Sequence, residues 1–253
     1  MLRLFSVRGI PVAAHWSLLL AVGLFGWRAG SLAVGVVTAI LLFTSVLLHE
    51  LGHALVARRL HLPISGIDLH LFGGTAKMTA APRSPREEVL VAVAGPAVSL
   101  GLAVAGFVGL AIAPALAPVL VFVAWANLGL FLFNLLPALP MDGGRVLRAL
   151  LASRFGFIDG TRRAVSVGVV VAVLMGLYGL WRDPWLVVMA FVIWSLGRAE
   201  LVQVQRSVLL DRMGLSGADP WARYRRNARS ADDAGGREPD TILLPDGTRV
   251  VMR

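Results

Sequence analysis

The chain has 253 residues, of which 57% are hydrophobic and 15% charged, and it carries a formal net charge of +9. Ordinary soluble domains hold roughly a quarter charged residues, so an ordinary soluble enzyme is excluded, and the apolar content excludes disorder over most of the chain. The absence of cysteine excludes a disulfide framework, a thiolate metal site and a cysteine nucleophile.

Apolar stretches lie at residues 12–27, 32–56, 89–112, 116–136, 165–180 and 185–196, and a bilayer-crossing helix needs about 20 such residues. The expected fold class is an all-α polytopic membrane protein with about six transmembrane helices. Five is the fallback, because Trp181-Arg182-Asp183-Pro184 leaves little room for a turn before the sixth. The first stretch has the basic start of a signal peptide, but no small-x-small cleavage site follows it, so an uncleaved span is the better reading.

The second stretch ends in His49-Glu50-Leu51-Gly52-His53. Residues four apart share a helix face, so both imidazoles reach one ion, and the adjacent glutamate can take a proton from a water on that ion. Arg58 and Arg59 mark the expected end of the helix, which places the motif between roughly 14 Å and roughly 8 Å inside that end. Three ionisable groups at such depth are costly. A metal ion is their natural partner, since it binds neutral imidazoles and compensates the glutamate.

The following loop contains Ile67-Asp-Leu-His-Leu-Phe72, whose alternation predicts a strand in a small membrane-associated β-hairpin over 66–78. Two readings of it are open: a surface hairpin, or an edge strand that holds an extended substrate by β-augmentation. His61 and His70 in this loop, and His15 before it, read as interfacial residues rather than ligands. Trp16, Trp27, Trp181 and Trp185 read as interface anchors.

The fourth stretch runs into Asn134-Leu-Leu-Pro-Ala-Leu-Pro-Met-Asp142-Gly-Gly144. A catalytic zinc takes three protein ligands and a water, and Asp142 is the carboxylate placed to supply the third. Alone, Asp142 reads as the N-cap of a helix starting near Arg145; beside His49, Glu50 and His53 the ligand reading is favoured. Pro137 and Pro140 break the helix, and Gly143 and Gly144 permit a tight turn. Broken backbone at membrane depth is tolerated only inside protein or beside a wet cavity.

The composition turns polar near Gly197. The expected organisation is a transmembrane domain over 1–198 and a cytoplasmic tail over 199–253, disordered over 219–240, with a terminal hairpin around Pro245-Asp246-Gly247. With both termini cytoplasmic, 22 of the 24 basic residues fall on the inner side, Arg28 and Arg182 being the exceptions. That asymmetry follows the positive-inside rule and assigns the charge to membrane topology, not to nucleic acid.

Taken together, the two motifs resemble those of the site-2 protease family of intramembrane zinc metalloproteases, peptidase family M50. His49 to His53 matches the family's H-E-x-x-H, and Asn134 to Gly144 matches its Asn-x-x-Pro-x-x-Pro-x-Asp-Gly-Gly. Phe72-Gly73-Gly74 resembles the glycine pair of the family's membrane-associated hairpin, and His15-Trp16-Ser17 resembles the start of the first span in the sporulation-protease subgroup. The resemblance covers about residues 8–198. Some relatives carry Asn after Gly-Pro in the third span; here Gly95-Pro96 is followed by Ala97, Val98 and Ser99, leaving Ser99 to hydrogen-bond. The stretch from Gly197 is too short for the subgroup's paired CBS domains, and no PDZ-sized insertion is present.

The resemblance implies a zinc metalloendopeptidase with zinc on His49, His53 and Asp142, and with Glu50 as general base and acid. It also implies that Asn134 positions the substrate strand or donates to the oxyanion. The implied substrate is a transmembrane protein, such as an anti-sigma factor or sigma-factor precursor, cut near the cytoplasmic face of the cell membrane. The alternatives are a membrane metal transporter, which would spread its ligands along a path over several helices, and a non-catalytic zinc-binding scaffold, which has no need of Glu50.

Overall fold

The computed structural model describes residues 1–71, 73–79, 82–212, 241–243 and 249–251. Strands β1 (Leu2–Val7) and β2 (Ile10–Ala14) form a hairpin. Its two turn residues, Arg8 and Gly9, have φ of 49° and 82°, the left-handed pair that matches strand twist. Helices α1 (Leu18–Ala29) and α2 (Leu32–Arg59) lead to β3 (Ile64–His70) and β4 (Gly73–Met78). Then come α3 (Pro85–Ile112), a 3-10 turn (Pro114–Leu116), α4 (Ala117–Asn134), α5 (Asp142–Phe155), α6 (Phe157–Arg182) and α7 (Pro184–Arg212). Strands β5 (Thr241–Leu243) and β6 (Arg249–Val251) pair antiparallel, as the expected terminal hairpin requires. The expected disorder over 219–240, and Phe72, lie outside the described residues.

Among the described residues, five helices are long and apolar enough to cross a membrane: α2, α3, α4 with its preceding 3-10 turn, α6 and α7. Val104, Phe107, Trp125, Leu174, Leu177 and Phe191 are exposed on them, a surface suited to lipid, and the chain is a multi-pass membrane protein. Of the six expected, it is the first, not the sixth, that falls short of this length. Residues 12–14 belong to β2, and α1 has only 12 residues, about 18 Å of helix. The junction is tied to the sheet: the His15 N–H donates to the Leu69 carbonyl at 2.8 Å, and Ser17 Oγ accepts the Leu71 N–H at 3.1 Å. Gly30, at φ 64°, ends the helix. The corner before α7 is short enough because Asp183 Oδ1 accepts the Trp185 N–H at 2.9 Å and Pro184, which needs no partner for its nitrogen, opens the helix. Helix α7 then runs on to Arg212, beyond the boundary expected at 198.

In place of an isolated hairpin there is a four-stranded sheet in the order β1-β2-β3-β4. β2 and β3 are parallel with Val12 opposite Ile67, and the other pairs are antiparallel. The strand expected at 67–72 is β3, which lies inside the sheet, so the outer edge on this side belongs to β4. Ile10, Val12, Ile67 and Leu69 pack on Val46, Leu51 and Ala54 of α2. At the far end of α2, a Cβ on Gly35 would come within 2.4 Å of the Gly26 nitrogen of α1. Residues 10–29 therefore run antiparallel along α2, first as strand and then as helix, and the sheet lies beside the turns that carry His49 to His53.

Candidate active site

Helix α2 buries His49 and His53 on one face, 3% and 7% exposed, and Asp142 opens α5 at 7% exposed. The three groups meet. His49 Nε2 and His53 Nε2 are 3.2 Å apart, and Asp142 Oδ2 lies 3.2 Å from the first and 3.3 Å from the second. Tetrahedral zinc with bonds of about 2.0–2.1 Å holds its ligand atoms about 3.3–3.4 Å from one another, so the triangle has the size of one face of such a site. Asp142 Oδ2 is buried without a hydrogen-bond partner. A single proton can bridge only one edge of this triangle, whereas a cation satisfies all three atoms. The residues present fit a metal ion.

Both rings are aimed from behind by α3. His53 Nδ1 lies 2.7 Å from the Val91 carbonyl, and His49 Nδ1 lies 2.9 Å from Ser99 Oγ. A carbonyl only accepts, so His53 Nδ1 carries hydrogen and Nε2 is the atom left for an ion; such partners fix tautomer and orientation. Two glycines admit this close approach. A Cβ on Gly95 would come within 2.2 Å of His53 Nε2 and 2.7 Å of His49 Nε2, and one on Gly52 within 2.8 Å of the Ala94 carbonyl. Ser99→Ala is expected to weaken zinc binding about 10- to 100-fold, the usual loss for such partners, measured by competition with a chelator.

Asp142 comes to the triangle because α4 ends at Asn134 and residues 135–141 turn the chain back, through a cis Leu139–Pro140 bond. It does not cap α5; Met141 holds that position. Gly143 and Gly144 lie within the first turn of α5 rather than in a tight turn, and they serve packing. A Cβ on either would come within 2.2–2.4 Å of the backbone of Leu135 or Ala138.

Glu50 points to the sheet. Its Oε2 accepts the Ala76 N–H of β4 at 3.0 Å, and Gly74 packs so closely on it that a Cβ there would lie 2.5 Å from Glu50 Cγ. Ala76 sits opposite Ile67 of β3 with its N–H turned the other way. Asn134 donates to the Leu130 carbonyl of its own helix at 2.9 Å and is outside the triangle. His15 is bonded to Ser17 and His70 to Thr75; among the described residues, the cluster able to hold a metal is His49, His53 and Asp142. The Ala76 N–H and the Val91 carbonyl were not expected from sequence, because a backbone group carries no chemical signature there, and Gly74 was legible only as part of the Phe72-Gly73-Gly74 resemblance.

The peptidase family M50 model matches residues 37–115 and 109–177. Rip3 of Mycobacterium tuberculosis, whose name describes a zinc metalloprotease, is 34% identical over 232 residues, covering 80% of this chain and 59% of that protein. A zinc metalloprotease of Methanocaldococcus jannaschii is 38% identical over 187 residues, covering 71% of this chain and 54% of that one. The chain thus spans little more than half the length of these relatives. The solved structure of a site-2 protease from Methanocaldococcus jannaschii superposes with a TM-score of 0.60 at 33% identity, covering 79% of this chain and 94% of that one.

Proposed function

The chain belongs to peptidase family M50, and from that premise we propose that it is an intramembrane zinc metalloprotease that hydrolyses peptide bonds within or beside the transmembrane helices of membrane-tethered regulatory proteins. The observation that carries this reading is the buried triangle of His49, His53 and Asp142, with the Glu50 carboxylate on the same helix. The cofactor is zinc, held by those three side chains. When bound, it contributes Lewis acidity, bringing a water's pKa toward about 7 and polarising the scissile carbonyl.

The chain's own groups do the rest. Glu50 accepts the proton of the attacking water and delivers it to the leaving amine nitrogen. A helical substrate satisfies its own backbone bonds, so it has to be unwound before attack. The outer edge of β4 offers a place to hold it extended, and the Ala76 N–H that faces Glu50 lies on that edge. Asn134 positions the substrate strand or donates to the oxyanion once its amide turns from the Leu130 carbonyl. Residues 10–29, strand then short helix, complete a first crossing beside α2. Six crossings then leave both termini, the tail over 199–253 and the zinc on the cytoplasmic side of the cell membrane, in agreement with the basic residues.

The test is the protein in proteoliposomes with a single-span peptide substrate. Cleavage is expected, lost on treatment with a zinc chelator and restored by zinc. Zinc moving into the vesicles with no peptide cut would identify a transporter instead.

A further inference from the structure

Outside the triangle lies a buried ion cluster that the proposed chemistry does not use. Arg148 of α5 is 5% exposed, as is Glu88 of α3. Arg148 Nε and Nη2 both donate to Glu88 Oε1, at 2.9 and 2.6 Å, and Nη1 donates to Glu200 Oε1 of α7 at 2.6 Å. Its guanidinium also lies 5.7 Å from the centre of the Phe157 ring. Buried ion pairs are weak sources of net stability, since apolar replacements of similar size are often as stable. Such groups can instead serve as a register device.

The placement of the cluster fits that role. Asp142 and Arg148 are six residues apart on α5, about 9 Å. Glu88 and Gly95, which touches both imidazoles, are seven apart on α3, about 10.5 Å. The clamp and the triangle are thus two ends of one α3–α5 interface. Helix α3 also carries Val91 and Ser99, the partners of both histidines. Metal–ligand distances tolerate about 0.2 Å, whereas a one-residue slip of a helix is about 1.5 Å.

We propose that Arg148 is a positioning residue: by gripping Glu88 and Glu200 it fixes the register of α5 on α3 and α7, and so holds Asp142 at bonding distance from the ion that His49 and His53 bind. This rests on the zinc reading above. The clamp acts on Asp142 through α5, whereas the histidines stand on α2 and are aimed by α3.

The test uses the full chain in detergent, with zinc affinity read by chelator competition and ligand geometry read from the visible spectrum of the cobalt-loaded protein. Arg148→Met is expected to weaken zinc at least tenfold and to change the cobalt spectrum. The double variant Glu88→Met with Arg148→Met removes the unpaired buried charge and recovers thermal stability, yet keeps the weakened affinity and altered spectrum. Wild-type affinity and spectrum in the double variant would overturn the proposal, since the cluster would then be structural only. Arg148→Lys keeps the charge but cannot fork between two carboxylates. It decides the matter if the apolar variants do not insert: at least tenfold weaker zinc supports the proposal, and wild-type affinity overturns it. His49→Ala separates the two readings, because zinc retained there would remove the metal site itself.

Discussion

Glu50→Gln keeps its zinc and its fold and loses proteolysis by about 10²- to 10⁴-fold, the range that positioned acid–base groups supply. The amide has nearly the shape of the carboxylate, and its oxygen can still accept the Ala76 N–H that Glu50 Oε2 accepts at 3.0 Å. The contact between α2 and β4 therefore survives, as does the buried triangle. What disappears is basicity: a glutamine neither takes a proton from water nor returns one to the amine. Metal analysis of the purified variant beside turnover in proteoliposomes measures both halves. A variant that cuts at the wild-type rate removes Glu50 from the chemistry.

The second large effect falls on metal binding itself. Asp142→Ala leaves two imidazoles where a catalytic zinc takes three protein ligands, and it also deletes the only anionic atom of the triangle. Zinc content after dialysis is expected to fall from one ion per chain to near zero, with loss of cleavage. The scaffold of α5 does not depend on this carboxylate. Its first turn is held by Gly143 and Gly144 against residues 135–139 and its middle by Arg148, so circular dichroism is expected to be unchanged. Normal zinc in this variant would leave Asp142 without the role assigned to it. His49→Ala is expected to lose zinc in the same way.

The cluster of His49, His53 and Asp142 was legible in the sequence because metal chemistry needs few residue types at fixed spacing. Two imidazoles four residues apart on one helix meet by geometry alone, and a catalytic zinc on them needs a third ligand, for which Asp142 is the carboxylate in place. The path that brings Asp142 there was only half legible. The prolines at 137 and 140 announced a break, but Gly143 and Gly144 were read as turn formers when they are packing positions. Sequence shows that a side chain is missing without showing what occupies its space.

The N-terminus was legible only in part for a related reason. Residues 12–27 are apolar enough for a span, and apolarity does not distinguish a strand buried against a helix from a helix buried in lipid. The deciding contacts, His15 to Leu69 and Ser17 to Leu71, join segments more than fifty residues apart. The same limit hid the order of the sheet, in which the strand legible by alternation is interior and the glycine-rich one beside Glu50 is the edge.

The most direct measurement is mass spectrometry of a transmembrane peptide cut by the zinc-loaded protein in water enriched in ¹⁸O. The account predicts a cut within or at the border of the membrane-spanning segment, one ¹⁸O in the new carboxyl terminus, and no product with Glu50→Gln. Cuts confined to the soluble flanks, or the same labelled products from Glu50→Gln at the wild-type rate, would contradict it.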